Sequence, residues 1–209
     1  MSATRVHLIR HGEVENPHHV VYADLPGYTL SLAGHTEAAA TADHLAGFPL
    51  QRVVSSPLLR ARQTAAAIAR PHGLPVEVDE ALTEWTTSLR WAGVRWDELD
   101  EVFPGELTAY LENPTDLSFG DETLAECGAR VATLARAAAA SVADGHVALV
   151  GHQDPIHAAH IALTGEVPTP YHSTKPNHGG VITLEPAAGL WRRIAYWEPD
   201  RVAVFPALD

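Results

Sequence analysis

The stretch RVHLIRHGE, residues 5–13, joins a short apolar run to a basic residue, a histidine and a glycine. VHLI (6–9) has the length and composition of a buried β-strand. Arg10, His11 and Gly12 follow it directly, where an ordinary turn would serve. Because glycine lets the backbone turn sharply and approach a ligand closely, these three residues predict a functional strand end.

Strands and helices alternate along the rest of the chain. Apolar runs predict further strands at 52–56, 76–78, 146–151, 180–185 and 190–198. Helices are predicted at 31–47 with Ser31 as N-cap, from Pro57 with Ser56 as N-cap, and over 121–145 and 155–164. This order predicts one α/β domain over residues 1–209. We expect three layers, α/β/α, with a mostly parallel central sheet and an irregular, partly helical, substrate-facing insertion at about 85–120.

Composition and charge exclude several classes of function. The chain has 209 residues and a formal net charge of −12, which argues against binding to nucleic acid or to anionic membranes. Its single cysteine, Cys127, and the lack of a signal-like or membrane-spanning apolar run predict a cytoplasmic protein. No interface signature stands out, so the oligomeric state is left open.

Three of the predicted strands end in polar residues that could meet at one edge of the sheet. Arg10 and His11 follow the first strand, Arg60 lies one turn beyond the second, and His152 follows HVALVG. Arginine and helix N-termini both bind phosphate. A neutral imidazole is a good nucleophile toward phosphorus, and two neighbouring arginines would disfavour protonation of His11. These residues therefore predict a site for phosphoryl transfer.

The thirteen histidines raise the alternative of a metal site. The sequence contains no HExxH motif, no cysteine pair and no Asp/His ladder that would support one. A serine hydrolase is disfavoured because no GxSxG motif is present. We expect neither a metal nor a cofactor.

Four segments together resemble the motifs of the histidine phosphatase superfamily, the phosphoglycerate-mutase-like proteins. They are LIRHGE, SSPLLRARQTA, ALTE and LVGH, in matching order and spacing across residues 4–152. The resemblance implies a metal-independent phosphatase in which His11 becomes phosphorylated and Glu84 donates a proton. It also implies that Arg10, Arg60 and His152 form the phosphate pocket, with His152 also part of the catalytic set.

Departures from the family pattern favour a phosphatase over a mutase. Val14 stands where the family often has Thr or Ser, and the ERHYG-like segment of true phosphoglycerate mutases is missing after Glu84. A mutase-type phosphoryl transferase and a non-catalytic phosphate-binding regulatory module stay as alternatives.

The expected partner is a small phosphorylated metabolite, which the sequence does not specify. Discrimination among substrates is expected from residues 85–120 and from the loops at 16–28 and 168–179. Three further residues precede a strand and could reach the mouth of the pocket, although the sequence assigns them no role: His172, Lys175 and His178.

Overall fold

A computed structural model describes residues 3–168 and 170–200 of the chain. Its strands are β1 (Arg5–Arg10), β2 (Leu50–Ser55), β3 (Val76–Val78), β4 (His146–Gly151), β5 (Val181–Glu185) and β6 (Arg192–Trp197). Its α-helices are α1 (Leu32–Leu45), α2 (Leu59–Ala69), α3 (Thr86–Leu89), α4 (Leu99–Val102), α5 (Glu106–Glu112), α6 (Leu124–Ala140) and α7 (Gln153–Thr164). No helix in these two ranges is long and apolar enough to cross a membrane.

The strands form one sheet in the order β3-β2-β4-β1-β5-β6. Strands β1 to β4 pair parallel with one another, whereas β5 pairs antiparallel with both β1 and β6. In the centre, Arg10 at the end of β1 lies opposite Gly151 of β4, and Ser55 of β2 lies opposite Val150. The predicted mostly parallel sheet is confirmed, and three parallel strands end at the same edge.

Side chains of the central strands pack alternately against the two faces of the sheet. Val6 and Leu8 of β1 join the core cluster that includes α6 and α7, and Ile9 joins the cluster with α1 and α2. Buried apolar residues on both faces explain why β1 and β4 read as continuous apolar runs. The predicted three-layer α/β/α arrangement is confirmed, and the insertion is partly helical through α3, α4 and α5. The predicted domain limit at 209 lies outside the described residues.

The predicted start of the second helix was wrong. Helix α2 begins at Leu59, with Leu58 and not Ser56 as its N-cap residue. Ser56 instead lies just beyond β2, where its Oγ is 2.8 Å from Nε2 of His152. A contact across the sheet edge has replaced the expected cap, because the register of β2 and β4 brings these two residues together.

Two glycines allow α1 to pack tightly against the chain that follows His11. A Cβ atom on Gly34 would lie 2.0 Å from the carbonyl oxygen of Glu13, and one on Gly12 would lie 2.5 Å from the oxygen of Gly34. Both distances are shorter than any non-bonded contact allows. The first turn of α1 therefore fixes the position of the segment 11–13.

We predict that Gly34→Ala destabilises the protein by about 1–3 kcal/mol or more, as overpacking does. Alanine is by itself the better helix former, by about 1 kcal/mol, so a loss of stability must come from the clash. Gly47→Ala is the matched control, because nothing lies within 4 Å of the Cβ it would add. Urea unfolding of both variants measures the difference. A Gly34→Ala protein as stable as Gly47→Ala would contradict the tight packing.

Candidate active site

The ends of β1, β2 and β4 bring the predicted histidines together. The His11 N–H donates to the Gly151 carbonyl at 3.0 Å, and the Ser56 N–H donates to the Val150 carbonyl at 2.9 Å. These bonds extend the parallel ladders one residue past each strand. As a result, the rings of His11 and His152 lie 5.1 Å apart between their centroids.

The imidazole of His11 is buried and held in one tautomer. Its Nδ1 lies 2.7 Å from the Gly12 carbonyl, which can only accept, so Nδ1 carries the proton. Its Nε2 lies 3.1 Å from Nε of Arg60, which can only donate, so Nε2 carries a lone pair. Burial, followed by the charge of Arg60, lowers the pKa of His11 well below its usual value. The ring is therefore neutral at physiological pH.

Two arginines lie next to this ring, Arg60 buried and Arg10 partly buried. Arg60, which is 1% exposed, donates to the Ala23 carbonyl at 2.6 Å and lies 4.7 Å from the ring centroid of Tyr22. Arg10 donates to the Pro176 carbonyl at 3.1 Å and to Nε2 of His178 at 2.7 Å. Burial lowers the pKa of both guanidinium groups, yet both stay cationic at neutral pH. The site thus carries a local positive charge in a negative chain.

His152 is fully buried and hydrogen-bonded to Ser56. Ser56 Oγ accepts the Leu58 N–H at 3.3 Å, which leaves its own proton free for Nε2 of His152. Burial, followed by the charge of Arg60, lowers the pKa of His152 well below its usual value. When Nε2 accepts the Ser56 hydroxyl proton, the proton of the neutral ring sits on Nδ1.

Two buried nitrogens of the site have no hydrogen-bond partner within the described ranges: Nδ1 of His152 and Nε of Arg10. A buried polar atom without a partner costs about 1–3 kcal/mol. Both nitrogens belong to side chains at the end of a strand, on either side of His11. They are suited to donate to the oxygens of an anion.

Glu84 lies beside these groups, just after a 3-10 turn at Glu80–Leu82. Its Oε2 is 3.8 Å from Nη2 of Arg60 and 3.7 Å from Nδ1 of His152, and its Oε1 accepts the Trp85 N–H at 3.0 Å. Burial raises the pKa of Glu84 and the charge of Asp154 raises it further, against the opposing effect of Arg60. Such a carboxyl group is suited to donate a proton. The neighbouring Glu80 is exposed.

Sequence reasoning missed Arg130, which holds the Glu84 segment in place. Its guanidinium donates to the carbonyls of Ala81 at 2.7 Å, Thr83 at 3.0 Å and Glu84 at 3.1 Å. Its charge is paired with Glu122, at 2.6 Å. A lone arginine on a predicted helix resembles any solvent-facing residue, so no sequence signal could have identified it.

Part of this site borders a cavity of about 240 Å³. Its lining includes Arg10, His11 and Glu84 together with aromatic residues of the insertion. Of the three residues left without a role, His178 lines the cavity. The other two bond to its walls: His172 Nε2 is 2.9 Å from the Tyr110 carbonyl, and Lys175 Nζ is 2.6 Å from Asp154 Oδ1. The described residues include no group of three or more potential metal ligands.

The chain is similar to known proteins in both sequence and fold. The model of the histidine phosphatase superfamily (branch 1) matches residues 6–198. Glucosyl-3-phosphoglycerate phosphatase of Mycobacterium tuberculosis is 32% identical over 174 residues, covering 78% of this chain and 76% of that protein. Phosphoserine phosphatase 1 of Hydrogenobacter thermophilus is 30% identical over 159 residues, covering 76% and 75%. The solved structure of mycobacterial glucosyl-3-phosphoglycerate phosphatase with VO3 has a TM-score of 0.82 at 28% identity, covering 94% of this chain and 100% of that one.

We predict that inorganic phosphate raises the melting temperature of the wild-type protein and that Arg60→Gln removes this increment. A ligand at 100 times its Kd stabilises a protein by about 2.7 kcal/mol, or roughly 5–10 °C for a chain of this size. Arg62→Gln is the matched control, since Arg62 is exposed two residues along the same helix. The increment is measured by thermal shift for each variant against its own phosphate-free baseline. An equal increment in Arg60→Gln would place the phosphate elsewhere.

Proposed function

Because the chain belongs to the histidine phosphatase superfamily, we propose that it hydrolyses a small phosphomonoester through a phosphohistidine formed at Nε2 of His11. The observation that carries this proposal is the bond from His11 Nδ1 to the Gly12 carbonyl. It leaves the lone pair on Nε2, beside two arginines that can hold a phosphoryl group. The phosphatase activities named for its relatives support hydrolysis over a mutase reaction.

In the first step, Arg10, Arg60 and His152 bind the phosphoryl oxygens. Two guanidinium groups match the charge of a phosphate dianion, and Nδ1–H of His152 adds a neutral donor. Arg60 shifts its Nε–H from His11 to a phosphoryl oxygen, which frees the Nε2 lone pair for in-line attack. The N–P bond forms as the P–O bond to the alcohol breaks, and Glu84 gives its proton to the leaving oxygen.

In the second step, water replaces the alcohol. The ionised Glu84 takes a proton from the water as its oxygen attacks phosphorus and the N–P bond breaks. Inorganic phosphate leaves, His11 returns to its neutral form, and Glu84 is again protonated. The raised pKa of Glu84 supports both roles, because the group must hold a proton at the start of the cycle and accept one at its end.

We predict that His11→Ala lowers kcat on para-nitrophenyl phosphate by at least 1,000-fold while the circular dichroism spectrum stays that of the wild type. His35→Ala is the matched control, because His35 is an exposed residue of α1. Assays contain EDTA, so that contaminating metal plays no part. Mixing with radiolabelled substrate should leave acid-labile, alkali-stable phosphate on the wild type and on His35→Ala but not on His11→Ala. Activity within tenfold of the wild type would remove His11 as the nucleophile.

We predict that Glu84→Gln lowers the hydrolysis of alkyl phosphates by 10²–10⁴-fold, about 3–5 kcal/mol, and spares most activity on para-nitrophenyl phosphate. An alkoxide needs a proton as it leaves, whereas nitrophenolate hardly does. Glu80→Gln serves as the control, because Glu80 is exposed nearby. Equal losses on both substrates would assign Glu84 to binding or folding. Transfer of the phosphoryl group to an added alcohol without release of phosphate would indicate a mutase.

A further inference from the structure

Four aromatic rings of the insertion line the same cavity as Arg10 and His11: Trp85, Trp91, Trp96 and Tyr110. Trp85 and Trp91 are each 2% exposed and form the inner wall, whereas Trp96 is 45% exposed. The rings of Trp91 and Trp96 meet edge to face, with their centroids 6.5 Å apart. A tryptophan that borders a cavity and stays exposed is not packed into the core, so its ring can contact a ligand.

The polar atoms of the inner rings are bonded to the protein. Nε1 of Trp85 donates to the Glu122 carbonyl at 2.9 Å, and Nε1 of Trp91 donates to a carboxylate oxygen of Glu106 at 2.8 Å. The hydroxyl group of Tyr110 likewise donates to a carboxylate, at 3.0 Å. What these three side chains offer to the cavity is therefore the carbon surface of their rings.

The two hydroxyl groups in the same wall also donate inward. Thr87 Oγ1 donates to the Glu122 carbonyl at 3.0 Å, and Ser88 Oγ donates to the Trp85 carbonyl at 2.7 Å. A sugar or polyol needs partners for several hydroxyl groups when it leaves water, and each one left unpaired costs about 1–3 kcal/mol. None of these five side chains therefore has a donor left for a polyol, and the wall favours an apolar group.

Apart from Glu84, the described residues that line the cavity include one carboxylate, Asp154 of α7, and it is already paired. Asp154 Oδ1 lies 2.6 Å from Nζ of Lys175, which is itself only 7% exposed on its side chain. The same ammonium lies 4.6 Å from the centroid of the Tyr110 ring. A cationic substrate group would find this carboxylate already neutralised and an ammonium nearby, so no free carboxylate here selects a cation.

We propose that the preferred substrates are monophosphate esters whose organic part is a single aromatic ring, seated against Trp96 and the inner rings; this rests on the proposed function. The size of the cavity is consistent with an aromatic ring, because a cavity of about 150 Å³ holds benzene. The cavity here has about 240 Å³, which leaves room for the phosphoryl group and a short link.

The test compares benzyl phosphate with n-propyl phosphate. Both release a primary alkoxide of similar basicity, so the chemistry at phosphorus is matched and the ring is the main difference. We expect kcat/KM to be at least tenfold higher for benzyl phosphate, with the difference mainly in KM. Choline phosphate and glycerol phosphate extend the comparison to a cation and a polyol, and either one exceeding benzyl phosphate would overturn the proposal.

Variants of Trp96 test the residue assignment. Trp96→Ala should lower the benzyl-to-propyl ratio of kcat/KM at least fivefold, and Trp96→Phe should restore most of it, which a merely structural role would not do. Leu111→Ala is the matched control, because Leu111 is an exposed apolar residue of the same segment and does not line the cavity. An unchanged ratio in Trp96→Ala would overturn the role of Trp96.

Binding of phosphonates separates this proposal from the proposed function. Benzylphosphonate and n-propylphosphonate cannot be hydrolysed, and their affinities are measured by calorimetry on the same proteins. No turnover of any ester, with benzylphosphonate still bound at least tenfold more tightly, would overturn the phosphatase and support the ring site. Equal affinities for the two phosphonates would overturn the ring site whatever the turnover.

Discussion

The side chain of His11 is kept neutral by burial between two arginines, and the arrangement of its neighbours follows from that condition. A protonated imidazole at this place would add a third cation to a desolvated site and would have no lone pair to give. The Gly12 carbonyl and Arg60 together permit only the neutral tautomer with Nε2 unprotonated. The tight packing of α1 against the segment after His11 keeps that carbonyl in place.

The candidate active site is positively charged although the chain as a whole is negative. A chain with a net charge of −12 repels a phosphate dianion at long range. Arg10 and Arg60 act at short range and away from water, where an ionic interaction is several times stronger than at the surface. The acids nearby do not cancel them, because burial favours the protonated form of Glu84 and Lys175 balances Asp154. The local field is therefore positive at the candidate active site.

The fold and most of the strand-end residues could be predicted from the sequence, because each is marked by a local sequence pattern. Arg10, His11 and His152 each follow directly on an apolar strand, and such strands meet at one sheet edge in any parallel α/β fold. The contact of Ser56 with His152 depends on the register between two strands, which local patterns do not give. Glu84 stood among several carboxylates and was selected by family resemblance alone.

The insertion was the least predictable part of the chain. Its interruptions at Pro104-Gly105 and Asn113-Pro114 break every periodic pattern, so the sequence indicated where it lies and not which rings enter the cavity. Its helices are short, with four to seven residues each. These helices are positioned by tertiary contacts, such as the hydrogen bond from Trp91 to Glu106, and not by their own helix propensity.

A single peptide bond joins the two halves of the site, since Glu84 ends the segment held by Arg130 and Trp85 begins the aromatic wall. The groups proposed to bind the phosphoryl oxygens lie at the sheet edge and on α2, whereas the four rings of the insertion that line the cavity belong to one contiguous stretch of chain. Residues 85–120 can therefore be remodelled to fit a different organic group while the residues proposed for phosphoryl transfer stay unchanged. Any segment that replaces residues 85–120 must still have, at its first residue, a main-chain N–H that donates to Glu84.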